Sequence, residues 1–187
     1  MSVTKPIKTW AILSDIQFPF HDQHVLDMVI RFLKRVKPDG VILNGDVVDC
    51  YELSTFDKNP LGKAGLEREI TLAKRLMSEL RFIPERWWLG GNHEDRLRRY
   101  IWKRAAEFAG LNALSFESLF GLTQAGFKWK PYGAFIKLGK LLVTHGSVVS
   151  KHSGWTARAH FEKYGASVLV GHVHRLGVYY KTNAKGV

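Results

Sequence analysis

Five times along this chain a short segment carries side chains that ligate metal ions, and this recurrence restricts the fold more than any other feature. The segments are Asp15 with Gln17, Gly45-Asp46 with Asp49, Gly91-Asn92-His93-Glu94, Thr144-His145-Gly146 and Gly171-His172-Val173-His174. Each follows an apolar run. Hard and borderline donors (Asp, Asn, His) delivered repeatedly in this way are the set that a pair of divalent cations requires.

The intervening sequence predicts how they are delivered. Thr9 to Leu13 reads as a buried strand leading to Asp15. Asp22 can cap a helix whose apolar residues Val25, Val29, Phe32, Leu33 and Val36 follow 3.6-residue spacing, with Pro38 beyond its end. Gly40 to Leu43 is a second apolar run, leading to Asp46. Leu66, Ile70, Ala73, Met77 and Leu80 mark a second amphipathic helix, and a strand at Arg86 to Leu89 leads to Asn92 and His93. Such alternation argues for a parallel or mixed sheet with helices on its faces, where sites gather beyond the carboxyl ends of the strands. From Gly126 the pattern shortens. Strands are expected at Phe127 to Lys130, Ala134 to Leu138 and Leu141 to Thr144, the last two forming a hairpin that delivers His145. A helix from Trp155 to Tyr164, a strand at Ser167 to Val170 leading to His172, and a strand at Leu176 to Lys181 follow. No repeat or linker divides the sequence, so one domain over residues 1–187 is the expectation.

A chain of 187 residues, 45% hydrophobic and 24% charged, can bury a substantial core. Its formal charge of +11 favours anionic partners, nucleic acid or phosphorylated metabolites among them. No stretch approaches the roughly 20 apolar residues needed to cross a bilayer, and Met1 to Trp10 leads into no signal-peptide core. The lone Cys50 suits a reducing compartment and reads better as a small buried filler than as a ligand. The expectation is a soluble cytoplasmic protein without membrane partners.

Taken in order, Asp15-Ile16-Gln17, Gly45-Asp46-Val47-Val48-Asp49, Gly91-Asn92-His93-Glu94, His145 and Gly171-His172-Val173-His174 resemble the motifs of the calcineurin-like metallophosphoesterases. The resemblance implies a four-layer αββα sandwich, two mixed β-sheets flanked by helices. It implies two divalent cations, Asp15, Asp46 and His174 on one, and Asp46, Asn92, His145 and His172 on the other. It further implies phosphoester hydrolysis by attack of a hydroxide held between them. Physically, two closely spaced cations need a shared carboxylate to offset their repulsion, and Asp46 is the candidate. His93 matches the family histidine that protonates or stabilises the leaving oxygen, with Asp49 or Glu94 orienting its ring. The glycines before Asp46, Asn92 and His172 are expected to let the backbone turn tightly. Gln17 departs from the pattern, since histidine is usual there. A glutamine oxygen is a harder donor than imidazole, which favours manganese, with magnesium, zinc or iron as alternatives. His21 or His24 could fill the same place.

The substrate is less constrained. Arg96, Arg98, Arg99, Lys103 and Arg104 alternate with Tyr100 and Trp102 on a predicted helix, a combination suited to phosphates and stacked bases, or simply a solvated basic face. Lys151 to Arg158 enters another helix, where Ser153 and Arg158 are candidates to hold a substrate phosphate and Ser153 is alternatively only an N-cap. Short connections and the positive charge favour a phosphodiester, nucleic acid included. A phosphomonoesterase acting on nucleotides or phosphoproteins is the alternative, and a catalytically weak binding protein of the same fold is the alternative of another class. Relatives usually continue with further strands after the last motif. Without them an exposed sheet edge would remain, and a dimer is one way to cover it.

Overall fold

The computed structural model describes residues 8–55 and 65–182, with Ser153 described by its backbone alone. Four strands, β1 (Trp10–Leu13), β2 (Gly40–Asn44), β3 (Glu85–Leu89) and β4 (Lys128–Lys130), pair in parallel in that order. Three more form a second, mixed sheet: β5 (Ile136–Leu138) runs antiparallel to β6 (Leu141–Thr144), which pairs in parallel with β7 (Val168–Val170). The helices are α1 (Gln23–Val36), α2 (Leu66–Glu79), α3 (Asp95–Arg104), α4 (Phe116–Phe120) and α5 (Ser153–Tyr164).

Strand alternation explains the layering. Side chains along a strand point to opposite faces in turn, and in β2 this sends Val41 and Leu43 into a core with Ile30 and Leu33 of α1 and Leu76 and Met77 of α2. Ile42 points the other way, into a smaller core with Leu89, Ile136 and Val143 that joins the two sheets. Every residue of β2 is consequently buried, which is why Gly40 to Leu43 reads as an uninterrupted apolar run. The result is two sheets face to face with helices outside them, as the motif pattern implied.

Local signals set the element ends. Val25 N donates to the Asp22 carboxylate at 3.1 Å, capping α1, and Lys37 ends it in the left-handed conformation just before Pro38. The short α4 was not anticipated, although Ser115 caps it through the Ser118 N–H and Gly121 closes it. Its Phe116 stacks on Trp129 with ring centroids 4.6 Å apart, and Phe120 lies 5.9 Å from Trp88.

Two expectations are corrected. Residues 176–182 form no strand: Arg175 donates to the Ser150 and Lys151 carbonyls at 2.8 Å each, tying this segment to the loop before α5. Leu176 and Tyr180 are left 95% and 87% exposed, so the alternating pattern that suggested a strand finds no sheet among the described residues to bury it. The N-cap of α5 is His152 and not Ser153, which already lies within the helix; the Ser153 side chain, and so its candidacy for binding phosphate, falls outside the described residues.

Glu69 lies on the buried side of α2 and accepts from the Cys50 and Tyr51 N–H groups at 2.6 and 3.1 Å. Burial outweighs these bonds and pushes its carboxyl up to about 7 from 4.5. Between those pH values the unfolded chain is ionised at this residue and the folded chain is protonated, so stability contributed here falls as pH rises through the window. Metal-free protein is therefore expected to lose stability relative to Glu69→Gln between pH 4.5 and 7, by up to about 3 kcal/mol. Urea unfolding of both proteins at the two ends of that range measures it, and a constant difference would place the titration elsewhere.

Candidate metal centre

The carboxyl ends of β1, β2, β3, β6 and β7 lead within three residues to Asp15, Asp46, Asn92, His145 and His172. Loop pairing holds the first two segments side by side: Asp15 N and Phe18 N donate to Gly45 O and Val47 O at 3.0 and 2.8 Å, and Gln17 N donates to Asp46 O at 2.9 Å. Asp15 Oδ1 in turn accepts from His172 N at 3.0 Å, binding the first motif to the last.

Close approach dictates the glycines. A Cβ on Gly91 would collide with the Asp46 carboxylate, and one on Gly171 with Ser14 Oγ and Asp15 Oδ2. Neither glycine has a positive φ, so what matters there is space and not the tight turning expected from the sequence; at Gly45, with φ of 81°, the turning argument holds. Asp15, Gln17, Asp46, His172 and His174 themselves lie at φ between 49° and 74°. Non-glycine residues pay about 1–3 kcal/mol each for such conformations, and they persist where the surroundings fix them, typically at functional sites.

At the centre, donor atoms of Asp46, His145 and His172 lie within 4.8 Å of one another. His145 Nδ1 donates to the Asn44 carbonyl at 2.8 Å, which turns Nε2 toward Asp46 Oδ2 at 3.2 Å and Asn92 Oδ1 at 3.1 Å. An imidazole nitrogen facing two oxygen acceptors is satisfied by a proton on the ring or by a cation among the three. Burial disfavours the proton, but Asp46 outweighs burial and raises the His145 pKa. The Asp46 carboxyl, which burial alone would raise, is held below its usual range by His145 and His93. Burial and the neighbouring His145 lower the His172 pKa, which favours the neutral ring, the form that can donate a lone pair to a metal.

A second group lies alongside. His174 Nε2 is 3.2 Å from Asp15 Oδ1 and 3.1 Å from the Gln17 side-chain amide. His21 instead hydrogen-bonds Gln23 at 2.8 Å, and His24 is on α1, so it is Gln17 that accompanies Asp15 and His174. Anionic and neutral donors thus converge in two neighbouring groups, a set that fits hard or borderline divalent cations.

His93 borders the cluster. Its Nε2 lies 3.6 Å from Asp46 Oδ2, and its Nδ1 is 3.1 Å from Asp49 O and 3.4 Å from Asp49 Oδ2. Burial works against a charged ring, yet Asp49 and Asp46 prevail and raise the His93 pKa. Asp49 is therefore the acidic residue in contact with the His93 ring nitrogen Nδ1. Glu94 is not: its buried carboxylate accepts from Asp46 N, Val47 N and Gly91 N at 2.9, 2.8 and 2.7 Å. Arg96 bonds Asp49 Oδ1 at 2.8 Å and reaches within 3.3 Å of His93 Nε2, so it belongs to this group. Arg158 does not join it, being paired with Glu162 at 2.8 Å on the exposed side of α5. Cys50 is buried, and burial raises its thiol pKa well above the ordinary value, consistent with a packing role.

The pattern passed over Asn44. This buried residue accepts from His145 Nδ1 and Ser14 Oγ through its carbonyl and donates from Nδ2 to Thr144 O at 3.1 Å, clamping the ends of β1, β2 and β6 together. An asparagine closing an otherwise apolar strand was the available signal.

Comparison with known proteins agrees with this geometry. The chain is 29% identical over 188 residues to "Gene 54 protein" of Mycobacterium phage D29, covering 91% of this chain and 71% of the relative. It is 28% identical over 185 residues, with the same coverage, to "Gene 54 protein" of Mycobacterium phage L5. A sequence model of the calcineurin-like phosphoesterases matches residues 9–176, a span that takes in all five motif segments. This chain belongs to the calcineurin-like phosphoesterase family, which implies metal-dependent hydrolysis of phosphoesters.

Proposed function

We propose that this chain hydrolyses phosphodiesters with two divalent cations, preferentially manganese. Asp15, Gln17, Asp46 and His174 would hold one cation, and Asp46, Asn92, His145 and His172 the other. The observation that carries the reading is the convergence of Asp46, His145 and His172 donor atoms within 4.8 Å, with the His145 tautomer already set by Asn44. Bound cations would supply an activated water and offset charge on the phosphoryl oxygens.

The chain's own residues account for the remaining roles. His93, whose pKa Asp49 and Asp46 raise against burial and the neighbouring Arg96, would give a proton to the leaving oxygen, and Arg96 would add positive charge beside it. Asp49 holds the ring for that transfer. The +11 charge favours the more extended anionic esters over small monoesters.

Hydrolysis of bis(p-nitrophenyl) phosphate and p-nitrophenyl phosphate with added manganese tests the proposal. Faster turnover of the diester is expected. Preference for the monoester would make the protein a phosphomonoesterase, and turnover of neither by demonstrably metal-loaded protein would make it a binding protein.

Gln17 gives a separate test. Its amide already faces His174, and a half-turn presents the oxygen in place of the nitrogen. Gln17→His substitutes a stronger donor for borderline metals and is expected to tighten the weaker of two binding steps when metal-free protein is titrated calorimetrically with zinc. Unchanged affinity would mean that Gln17 is no ligand.

A further inference from the structure

A pocket of about 430 Å³ lies between α3, the segment 108–117 and the residues after β4, within the range of small-molecule sites. It adjoins the metal cluster through residues that touch it. Tyr132 forms part of its wall and meets the His145 ring edge-on with centroids 6.4 Å apart, while Glu94 and Asp95, next in sequence after His93, also line it.

Aromatic rings share the lining with the aliphatic Leu97, Ile101, Leu111 and Leu114, and part of the aromatic surface is exposed. Phe116 and Trp129 stack on each other and form a fixed wall. Trp102 and Phe108 are 57% and 47% exposed, and the Arg98 guanidinium lies over the Trp102 ring at 4.6 Å. Arg99, Lys103 and Arg104 add exposed positive charge along the same helix. Asn112, Ser115 and Glu117 place hydrogen-bonding groups in the lining. Flat rings and a guanidinium plane suit a stacked heteroaromatic ring. An alkyl chain would gain nothing from the polar groups and would desolvate them without replacement. The cationic helix surface suits the phosphate that such a ring would carry.

We propose that this pocket receives the nucleobase of a nucleotide phosphodiester whose phosphorus lies at the metal cluster. The inference rests on the phosphodiesterase reading above and specifies its substrate class. Trp102 and Phe108 are then the specificity-determining residues, reading the ring and not the phosphate.

The test compares thymidine 5′-(p-nitrophenyl phosphate) with methyl p-nitrophenyl phosphate on manganese-loaded protein. The wild type is expected to favour the thymidine ester in kcat/KM. Trp102→Ala and Phe108→Ala should each lower that value by about 10–100-fold, the range of one base stacked on an aromatic side chain, and leave the methyl ester unchanged. Both residues are exposed, so the variants should fold. Equal losses on both esters, or no preference in the wild type, would overturn the assignment. A binding measurement separates failure of the pocket from failure of the chemistry. Calorimetric titration should show thymidine 5′-monophosphate binding more tightly than inorganic phosphate, with the advantage lost in Trp102→Ala. Should neither ester be hydrolysed, the phosphodiesterase reading falls while this titration still decides the pocket. Equal affinities, or tighter binding of decyl phosphate than of the nucleotide, would overturn the nucleobase assignment.

Discussion

Asp46→Asn is expected to lower kcat/KM with manganese by on the order of 10³-fold or more, the equivalent of several kcal/mol of lost transition-state stabilisation. Asp46 is 1% exposed, with Oδ2 3.2 Å from His145 Nε2 and 3.6 Å from His93 Nε2, and Oδ1 accepting from His93 N at 3.0 Å. Asparagine has the same shape and retains an oxygen for the His93 N–H. It removes the charge that both cations would share and brings an amide N–H₂ toward donors that expect an acceptor. The fold should survive and the metal site should not. Two measurements separate these effects. Far-UV circular dichroism and cooperative unfolding of the metal-free variant should resemble those of the wild type. A rise in melting temperature with manganese, expected for the wild type because the cation would bind only the folded state, should be largely absent. Activity within tenfold of the wild type at the same metal content would remove Asp46 from the bridging role.

The same residue shows how far the sequence could be read. Asp46 was legible because it ends an apolar run after a glycine, and the order of the motifs supplied its partners. Periodicity likewise revealed α1, α2 and the β5–β6 hairpin, since each is specified by residues close in sequence. Features that depend on distant segments were not legible. Asn44 meets Thr144 across 100 residues, and Glu94 meets Asp46 across 48. Nothing local marks Glu69 as a buried acceptor beyond its place on the inner side of α2. The left-handed conformations of Asp15, His172 and His174 follow from the assembled loops and not from residue preference. The strand expected at Leu176 to Lys181 failed for the converse reason: the alternation was genuine, but Arg175 bonds the loop before α5 and no strand among the described residues pairs with the segment. Local pattern fixes an element only when tertiary structure gives it somewhere to pack.

Glu94→Ala should be the most destabilising single change at the site, by about 3–5 kcal/mol in urea unfolding of metal-free protein, because it leaves several buried backbone donors unpaired. The Glu94 side chain is the acceptor for Asp46 N, Val47 N and Gly91 N, so it joins the second motif to the third. Burial and the neighbouring Asp46 raise its pKa, which shows that the carboxylate charge is itself costly there. Charge and geometry therefore make opposite predictions for Glu94→Gln. If charge dominated, the neutral amide would relieve repulsion from Asp46 and the variant would be at least as stable as the wild type. If acceptor geometry dominates, Gln fails, because its oxygen can serve either the Val47 side or the Gly91 and Asp46 side, and its N–H₂ then faces N–H groups on the other. Bonds of 2.7 to 2.9 Å from Asp46 N, Val47 N and Gly91 N, with Val48 N at 3.4 Å, favour geometry: a donor set against a buried donor costs about 1–3 kcal/mol, more than a charge already bonded to these four N–H groups loses by remaining. Glu94→Gln should then fall between wild type and Glu94→Ala in stability. Metal affinity should fall in the same order, since the loop carrying Asn92 is positioned through Gly91. A Gln variant as stable as the wild type would assign Glu94 an electrostatic role and leave the joining of the two motifs to the loop hydrogen bonds alone.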